Sequence, residues 1–123
     1  MDKRTRLSPD FRLGEFFSDD DLLPAGGVIE NLNRLAQRLQ VVRDLLQKPV
    51  VITSGYRSPQ HNQQIGGVSR SYHTQGMAAD IVIPGLAAQE VQQFLLNWSG
   101  GLGCYSTHTH VDIRPEKARW HGS

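Results

Sequence analysis

The stretch Ser71-Tyr72-His73-Thr74-Gln75-Gly76-Met77-Ala78-Ala79-Asp80-Ile81 places an imidazole and a carboxylate on either side of a turn that contains a glycine. Asp80 precedes the apolar run Ile81-Val82-Ile83, which ends at Pro84-Gly85. Such a run predicts a short buried strand, with Asp80 at its start. A histidine and a carboxylate arranged in this way make half of a metal site.

The other half is predicted in Thr107-His108-Thr109-His110-Val111-Asp112-Ile113-Arg114. Alternate residues of a strand face the same way, so His108, His110 and Asp112 share one face. The opposite face is expected to pack against the core. Its side chains are Thr109, Val111 and Ile113.

Histidine and carboxylate together suit a borderline ion such as zinc, and a catalytic zinc typically keeps three protein ligands with a fourth position open. We therefore predict that His73, Asp80 and His110 bind zinc. Taken alone, a histidine near a turn is more often an ordinary surface or core residue, and the His-x-His-x-Asp pattern is what favours a metal. The remaining histidines are assigned to the surface, His61 in a polar loop or short helix and His121 near a frayed terminus.

Length and composition predict one domain over residues 1–123. A hydrophobic content of 38%, a charged content of 20% and a net charge of +1 are ordinary for a globular protein and do not indicate a nucleic-acid partner. No stretch is long enough to span a membrane. The basic residues 1–6 are not followed by an apolar segment, so no signal peptide is expected.

The single cysteine, Cys104, excludes an internal disulfide. Unbroken strand alternation would place it on the His108 face, but Ser106-Thr107 is expected to turn the chain. We therefore interpret Cys104 as a small buried hydrophobe rather than a nucleophile or metal ligand. The acidic run Asp19-Asp20-Asp21 lacks the spacing of a calcium loop and is interpreted as a solvated turn.

The main packing helix is predicted from about Val28 to Gln47, followed by a buried strand at Val50–Ser54. The helix stripe comprises Leu32, Leu35, Leu39, Val42 and Leu46, with Ala36 and Leu45 broadening it. Arg57 leaves the strand at a glycine turn. It can hold a substrate carboxylate through two parallel hydrogen bonds, or it forms a surface salt bridge.

A second helix is predicted from Ala87 to Trp98. Its inner face is expected to carry Val91, Phe94, Leu95 and Trp98. Upstream of the first helix, an irregular arm is expected to be pinned to the core by Phe11, Leu13, Phe16 and Phe17. The order helix, strand, strand, helix, strand, strand predicts an α+β fold with a small, mainly antiparallel sheet and helices packed on one face.

Three motifs carry a family resemblance. They are Ser54-Gly55-Tyr56-Arg57-Ser58-Pro59, then Ser71-x-His73-x-x-Gly76-x-Ala78-x-Asp80, then His110-Val111-Asp112 with a closing Ala118-Arg119-Trp120. In this order they resemble the zinc D-Ala-D-Ala carboxypeptidases and related peptidoglycan endopeptidases. The resemblance implies the fold that these peptidases share with the hedgehog signalling domain, a zinc on His73, Asp80 and His110, and cleavage of peptidoglycan peptides. It also implies that Arg57 and Ser71 face the substrate.

The chain departs from its relatives at the general base. Relatives that cut dipeptides, and several phage endolysins, resemble one another in having Glu or Asp three residues before the last zinc histidine, where this chain has Thr107. His108, two residues before that histidine, instead resembles the His-x-His of the carboxypeptidase branch. The candidates for the base are His108 and Asp112. Two alternatives stay open: His108 can stabilise the oxyanion as a donor, and Asp112 can orient a histidine ligand.

The sequence therefore predicts a monomeric zinc peptidase of peptidoglycan peptides, either a D,D-carboxypeptidase or an endopeptidase. An inactive zinc-stabilised module that binds cell wall or peptide is the first alternative, and a structural component of a phage particle or wall assembly is the second. Because the substrate lies outside the cytoplasmic membrane, the chain is expected to be a phage or prophage lysis enzyme, or a protein whose leader was removed.

Overall fold

The computed structural model describes residues 3–17, 24, 27–66 and 71–122, with the backbone alone at position 61. Near the amino terminus, β1 (Arg6–Ser8) and β2 (Phe11–Arg12) pair as a small antiparallel sheet, followed by a 3-10 turn at Leu13–Phe16. The predicted arm is therefore partly regular. Its aromatic rings do pack against the core, because Phe11 and Phe16 are buried and Phe17 is partly buried beside them.

The main sheet has five strands. They are β3 (Val51–Ser54), β4 (Ala78–Val82), β5 (Gly101–Cys104), β6 (Thr109–Asp112) and β7 (Ala118–His121). Their order across the sheet is β3-β4-β6-β5-β7, and each neighbouring pair is antiparallel except β5 and β7, which are parallel. The predicted α+β class and mainly antiparallel sheet are confirmed.

The apolar face of the sheet shares one core with the longest helix. The helix α1 (Gly27–Leu46) begins and ends within one residue of the prediction and buries Leu32, Leu35, Ala36, Leu39 and Val42. Leu45 was expected to broaden this stripe but is 69% exposed. The helix instead buries Gln40, whose side-chain oxygen accepts hydrogen bonds from the Ser8 hydroxyl and the Asp10 amide at 2.8 Å each.

Two shorter helices complete the described fold. The helix α2 (Pro59–Gln64) contains the backbone of His61, as the short-helix alternative predicted. The helix α3 (Ala88–Phe94) ends before the predicted Trp98, and Phe94 is 44% exposed rather than inward. The chain turns early, which lets the buried Trp98 indole donate a hydrogen bond to the Asp112 carbonyl at 2.8 Å.

Two strand predictions need correction. Val50–Ser54 was predicted to be buried, but β3 lies at the edge of the sheet and Val51 is 42% exposed. An apolar run of this length does not reveal on which sides a strand is covered. Asp80 is the third residue of β4 rather than its start, because Ala78 and Ala79 already pair with β6.

The carboxyl-terminal segment is also more ordered than predicted. His121 closes β7 rather than lying in a frayed end, and the Gly122 amide donates a hydrogen bond to the Cys104 carbonyl at 2.9 Å. Cys104 is partly buried and pairs with the buried Thr109, so it packs against the core as predicted. The acidic run at 19–21 lies outside the described residues. Among the helices that the structure describes, none has both the length and the apolar character required to cross a membrane.

Candidate functional site

Asp80 and His110 lie directly opposite one another on the central strands β4 and β6. Opposed residues of an antiparallel pair present their side chains on the same face of the sheet. The Asp80 carboxylate Oδ1 is 3.1 Å from His110 Nδ1. This face is opposite to the one that carries the buried side chains of Ile81 and Val111.

His73 reaches the same carboxylate from a 3-10 turn at Tyr72–Gln75. The Ser71 hydroxyl accepts a hydrogen bond from the His73 amide at 3.2 Å and so caps this turn. Gly76 ends the turn with a φ of 72°, a left-handed conformation that favours glycine, and a Cβ there would lie 2.7 Å from the Val28 carbonyl oxygen. The turn is thereby held against α1, and His73 Nε2 lies 3.4 Å from Asp80 Oδ1.

The hydrogen bonds of the two histidines determine which ring nitrogens face Asp80. His73 Nδ1 lies 2.7 Å from the Gly55 carbonyl oxygen. A carbonyl only accepts, so this nitrogen carries the proton and the Nε2 lone pair is directed into the site. His110 Nε2 lies 2.8 Å from Asp112 Oδ2, which leaves its Nδ1 lone pair facing Asp80.

This arrangement brings acceptor atoms together and therefore fits a cation. One ligand atom from each of His73, Asp80 and His110 lies within 4.8 Å of the other two. His110 Nδ1 and Asp80 Oδ1 are both acceptors when His110 is neutral, and two acceptors at 3.1 Å need a proton or a metal ion between them. The three predicted ligands form a possible metal site, and the two imidazoles with one carboxylate match the donor set of a zinc centre.

The ionisation of the carboxylates agrees with this geometry. Burial alone would raise the pKa of Asp80, but hydrogen bonds to His110 and His73 hold it well below the usual range. Burial likewise opposes ionisation of Asp112, whose pKa is nevertheless lowered by hydrogen bonds from His110 and Arg114. Burial would lower the pKa of His110, whereas its hydrogen bonds to Asp112 and Asp80 raise it. Both carboxylates are therefore ionised, and a proton or a metal ion between Asp80 and His110 satisfies the two facing acceptors.

The two candidates for the general base occupy different environments. Asp112 is fully buried, and its Oδ1 accepts hydrogen bonds from the Gly101 amide at 2.9 Å and from Arg114 Nε at 2.8 Å. The His108 side chain is 29% exposed, and its Nε2 is 4.0 Å from Asp80 Oδ2. Thr107 is exposed, and its hydroxyl lies 3.1 Å from His108 Nδ1.

Contacts from α3 and β7 hold His108 at the edge of the site. Its ring stacks on Tyr105 with a centroid separation of 4.5 Å and an interplanar angle of 9°. The Tyr105 hydroxyl accepts a hydrogen bond from Trp120 Nε1 at 2.9 Å. The Gln92 side-chain amide donates to the Tyr105 carbonyl at 3.1 Å. These contacts hold the turn that precedes β6.

A cavity of about 650 Å³ opens over these groups. Its lining comprises Arg57, Gly66, Ser71, Tyr72, His73, Asp80, Tyr105, His108, His110, Arg114 and Trp120. Both predicted substrate-facing residues, Arg57 and Ser71, are among them. Arg57 Nη2 is 3.7 Å from Asp80 Oδ2, and its Nε donates to the Ser54 hydroxyl at 3.2 Å. The Arg57 guanidinium therefore lies at the cavity wall, close to the possible metal site.

The sequence prediction did not include Tyr72, Arg114 or Trp120 as site residues. Arg114 continues the alternation of His108, His110 and Asp112, so strand parity was an available signal for it. Tyr72 and Trp120 have no comparable signal, because their positions depend on the 3-10 turn and on the parallel pairing of β7.

The His-Asp-His cluster lies on an α+β sheet beneath an open cavity and forms a possible metal site. The sequence profile of the family described as Peptidase M15 matches residues 11–112, and the chain belongs to that family. This confirms the family predicted from the three motifs.

The chain is similar to peptidoglycan L,D-endopeptidase MepK of Escherichia coli strain K12, with 34% identity over 99 residues. The alignment covers 74% of this chain and 52% of MepK. The MepK proteins of Escherichia coli O157:H7 and Shigella flexneri match to the same extent. The chain thus spans about half the length of these curated relatives.

Proposed function

We propose that this chain is a zinc-dependent peptidase that hydrolyses peptide bonds in peptidoglycan stem peptides. The observation that carries the proposal is the pair of facing acceptors, Asp80 Oδ1 and His110 Nδ1, with His73 Nε2 3.4 Å from the same carboxylate oxygen. Membership of the Peptidase M15 family supports peptide hydrolysis, and the similarity to the peptidoglycan L,D-endopeptidase MepK supports peptidoglycan as the substrate.

His73, Asp80 and His110 would hold the zinc. A zinc ion bound there supplies a Lewis acid that polarises the scissile carbonyl and lowers the pKa of water to about 7. The protein supplies the orientation of the ligands. The Gly55 carbonyl fixes the His73 ring at Nδ1, and Asp112 fixes the His110 ring at Nε2.

We assign proton transfer to His108 and ligand orientation to Asp112. The buried Asp112 carboxylate already accepts hydrogen bonds from Gly101, His110 and Arg114, so it is poorly placed to take a proton from water in the cavity. His108 lines the cavity. If Nδ1 donates to the Thr107 hydroxyl, the Nε2 lone pair is free to accept a proton and later return it to the leaving amine.

Arg57 is assigned to the substrate. Its guanidinium lines the cavity and has a carboxylate partner only at 3.7 Å, longer than a paired hydrogen bond. A free carboxylate of a peptide would bind there and fix which bond reaches the metal.

Which bond is cleaved stays a prediction with two alternatives, that of a D,D-carboxypeptidase and that of an endopeptidase. The similarity to an L,D-endopeptidase makes an L,D bond a further candidate. A monomeric single domain at 1–123 and a role in phage lysis or wall remodelling stay predictions.

Zinc titration of metal-free protein tests the metal site directly. The wild-type chain is expected to bind one equivalent, whereas Asp80→Asn and His110→Ala lose binding. Asp80→Asn replaces the anionic ligand with a neutral amide, and His110→Ala removes one of the three ligands. His121→Ala is the matched histidine control, since His121 is exposed at the end of β7. Equal binding by the wild type and by both ligand variants would reject the assignment.

A further inference from the structure

The Arg114 guanidinium contacts one aromatic ring near each of the two histidine ligands. Its Cζ is 4.5 Å from the centroid of the Tyr72 ring, and Tyr72 directly precedes His73 on the 3-10 turn. The same atom is 5.0 Å from the centroid of the Trp120 ring, which lies 5.1 Å from the His110 ring. Cation–π contacts with two rings restrain the position of the guanidinium.

Arg114 also forms two hydrogen bonds with the Asp112 carboxylate. Nε donates to Oδ1 at 2.8 Å and Nη2 donates to Oδ2 at 2.7 Å, a bidentate pair. Asp112 Oδ2 in turn contacts His110 Nε2 at 2.8 Å. A Cβ at Gly101 would lie 2.3 Å from Asp112 Oδ2, so the strand beneath leaves the carboxylate little room to turn.

We propose that Arg114 is a positioning residue for the metal site: it fixes the Asp112 carboxylate so that His110 keeps its Nε2 proton engaged and directs Nδ1 to the metal. This inference rests on the proposed function. An ordinary surface ion pair would not have this effect. Here, however, Asp112 is 0% exposed and Arg114 is 21% exposed, so the pair is largely shielded from water. Removing Arg114 leaves a buried carboxylate without its paired charge and with fewer hydrogen bonds to hold its orientation.

The test compares Arg114→Met and Arg114→Lys with Arg34→Met, which removes an exposed arginine of α1. Zinc affinity is measured by competition with a chromophoric chelator. We expect Arg114→Met to bind zinc about 10–100-fold more weakly, the usual effect of losing a group that orients a ligand. Arg114→Lys keeps the charge but lacks the bidentate fork, so its zinc affinity is expected to lie between those of the wild type and Arg114→Met. Arg34→Met is expected to match the wild type.

A spectroscopic signature separates positioning from a general loss of structure. In zinc-loaded protein labelled with ¹⁵N-histidine, the His110 Nε2 proton should be hydrogen-bonded and slow to exchange. That resonance is expected to weaken or exchange faster in both Arg114 variants, while the His73 Nδ1 resonance persists. Should Arg114→Met fail to fold, the Arg114→Lys variant carries the comparison.

A double-mutant comparison tests whether Arg114 acts through Asp112. If it does, Asp112→Asn also weakens zinc binding, and adding Arg114→Met to it produces little further loss. Wild-type affinity in both Arg114 variants with an unchanged His110 signal, or fully additive losses, would overturn the inference while leaving the metal site intact. Failure of the wild type itself to bind zinc would overturn the proposed function, and with it this inference.

Discussion

His108 and Asp112 show how burial separates two side chains that the sequence placed on one strand face. Both follow the alternation of His110, yet one lines the cavity and the other is fully buried. Chemistry at the substrate requires access, so the exposed histidine is the better proton carrier. The buried carboxylate, which already accepts hydrogen bonds from its neighbours, is the better orienting group.

His108→Ala is expected to lower kcat by about 10²–10⁴-fold, the usual contribution of a general acid or base, while zinc affinity stays at the wild-type value. Steady-state kinetics on a defined peptidoglycan peptide, together with zinc titration, measures the two effects separately. His121→Ala serves as the control. His108→Gln distinguishes the two roles left open, since glutamine can donate to an oxyanion but cannot act as the base. Unchanged kcat in His108→Ala would contradict both roles.

At this scale the sequence predicted the His-Asp-His cluster and, as one alternative, an orienting role for Asp112, but not the rest of the contacts that support the cluster. His73, Asp80 and His110 lie together as expected because each belongs to a motif with a recognisable spacing. The Gly55 carbonyl that orients His73 was not predictable, because a backbone contact between distant segments leaves no side-chain pattern. Arg114 could have been predicted as a site residue, because it continues the alternation of His108, His110 and Asp112.

At the scale of elements, the glycines of β5 make room for the site. Gly101 and Gly103 alternate along the strand, and Gly103 pairs directly with His110. A Cβ at Gly103 would lie 2.6 Å from the Trp120 indole, and a Cβ at Gly101 would lie 2.3 Å from Asp112 Oδ2. The missing side chains let Trp120 and Asp112 pack against the face of the sheet that carries the site.

Gly103→Ala is therefore expected to lower the free energy of unfolding by about 1–3 kcal/mol, as overpacking of a filled site typically does. The matched control is Gly27→Ala, because nothing lies within 4 Å of a Cβ at this first residue of α1. The control should be neutral or slightly stabilising. Urea unfolding of both variants provides the measurement, and equal stability would contradict the packing that we describe.

Prediction of the elements succeeded where the pattern was long. The stripe of α1 covers several turns, so its ends were predicted within one residue. The strands β1, β2 and β7 have two to four residues each and were not predicted as strands. Segments this short depend on their partners. For β7 that partner is β5, and the pairing is parallel and non-local.

At the scale of the whole molecule, the buried carboxylate links the site to acid stability. The pKa of Asp112 is lowered in the folded protein, chiefly by hydrogen bonds from His110 and Arg114 acting against burial. Its ionised form therefore stabilises the fold above the ordinary aspartate pKa of about 4, and this stabilisation is lost as pH falls through the lowered folded value.

Metal-free wild-type protein should accordingly lose stability as pH falls below about 4, and Asp112→Asn should show a shallower dependence over the same interval. Urea unfolding at a series of acidic pH values measures this. The change of unfolding free energy with pH is determined for each protein separately, so a constant loss of stability caused by the substitution does not affect the comparison. Parallel slopes in the two proteins would show that Asp112 does not titrate as its contacts require.

The function of the whole molecule was predicted from motifs rather than from composition. Net charge and hydrophobic content were unremarkable, whereas the order of three short motifs indicated the family to which the chain belongs. The 34% identity to MepK, over about half of that protein's length, supports testing peptidoglycan peptides as the substrate. The bond that is cut depends on how the cavity holds a peptide, which only the chemistry of the product can reveal.

The most direct test is mass spectrometry of defined muropeptides after incubation with the zinc-loaded chain, the metal-free chain and the His110→Ala variant. We predict a product that requires both zinc and His110. Loss of one terminal D-Ala would define a carboxypeptidase, and a cut within the stem or cross-link would define an endopeptidase. No product from protein that binds zinc stoichiometrically would contradict the peptidase and leave a zinc-stabilised binding module.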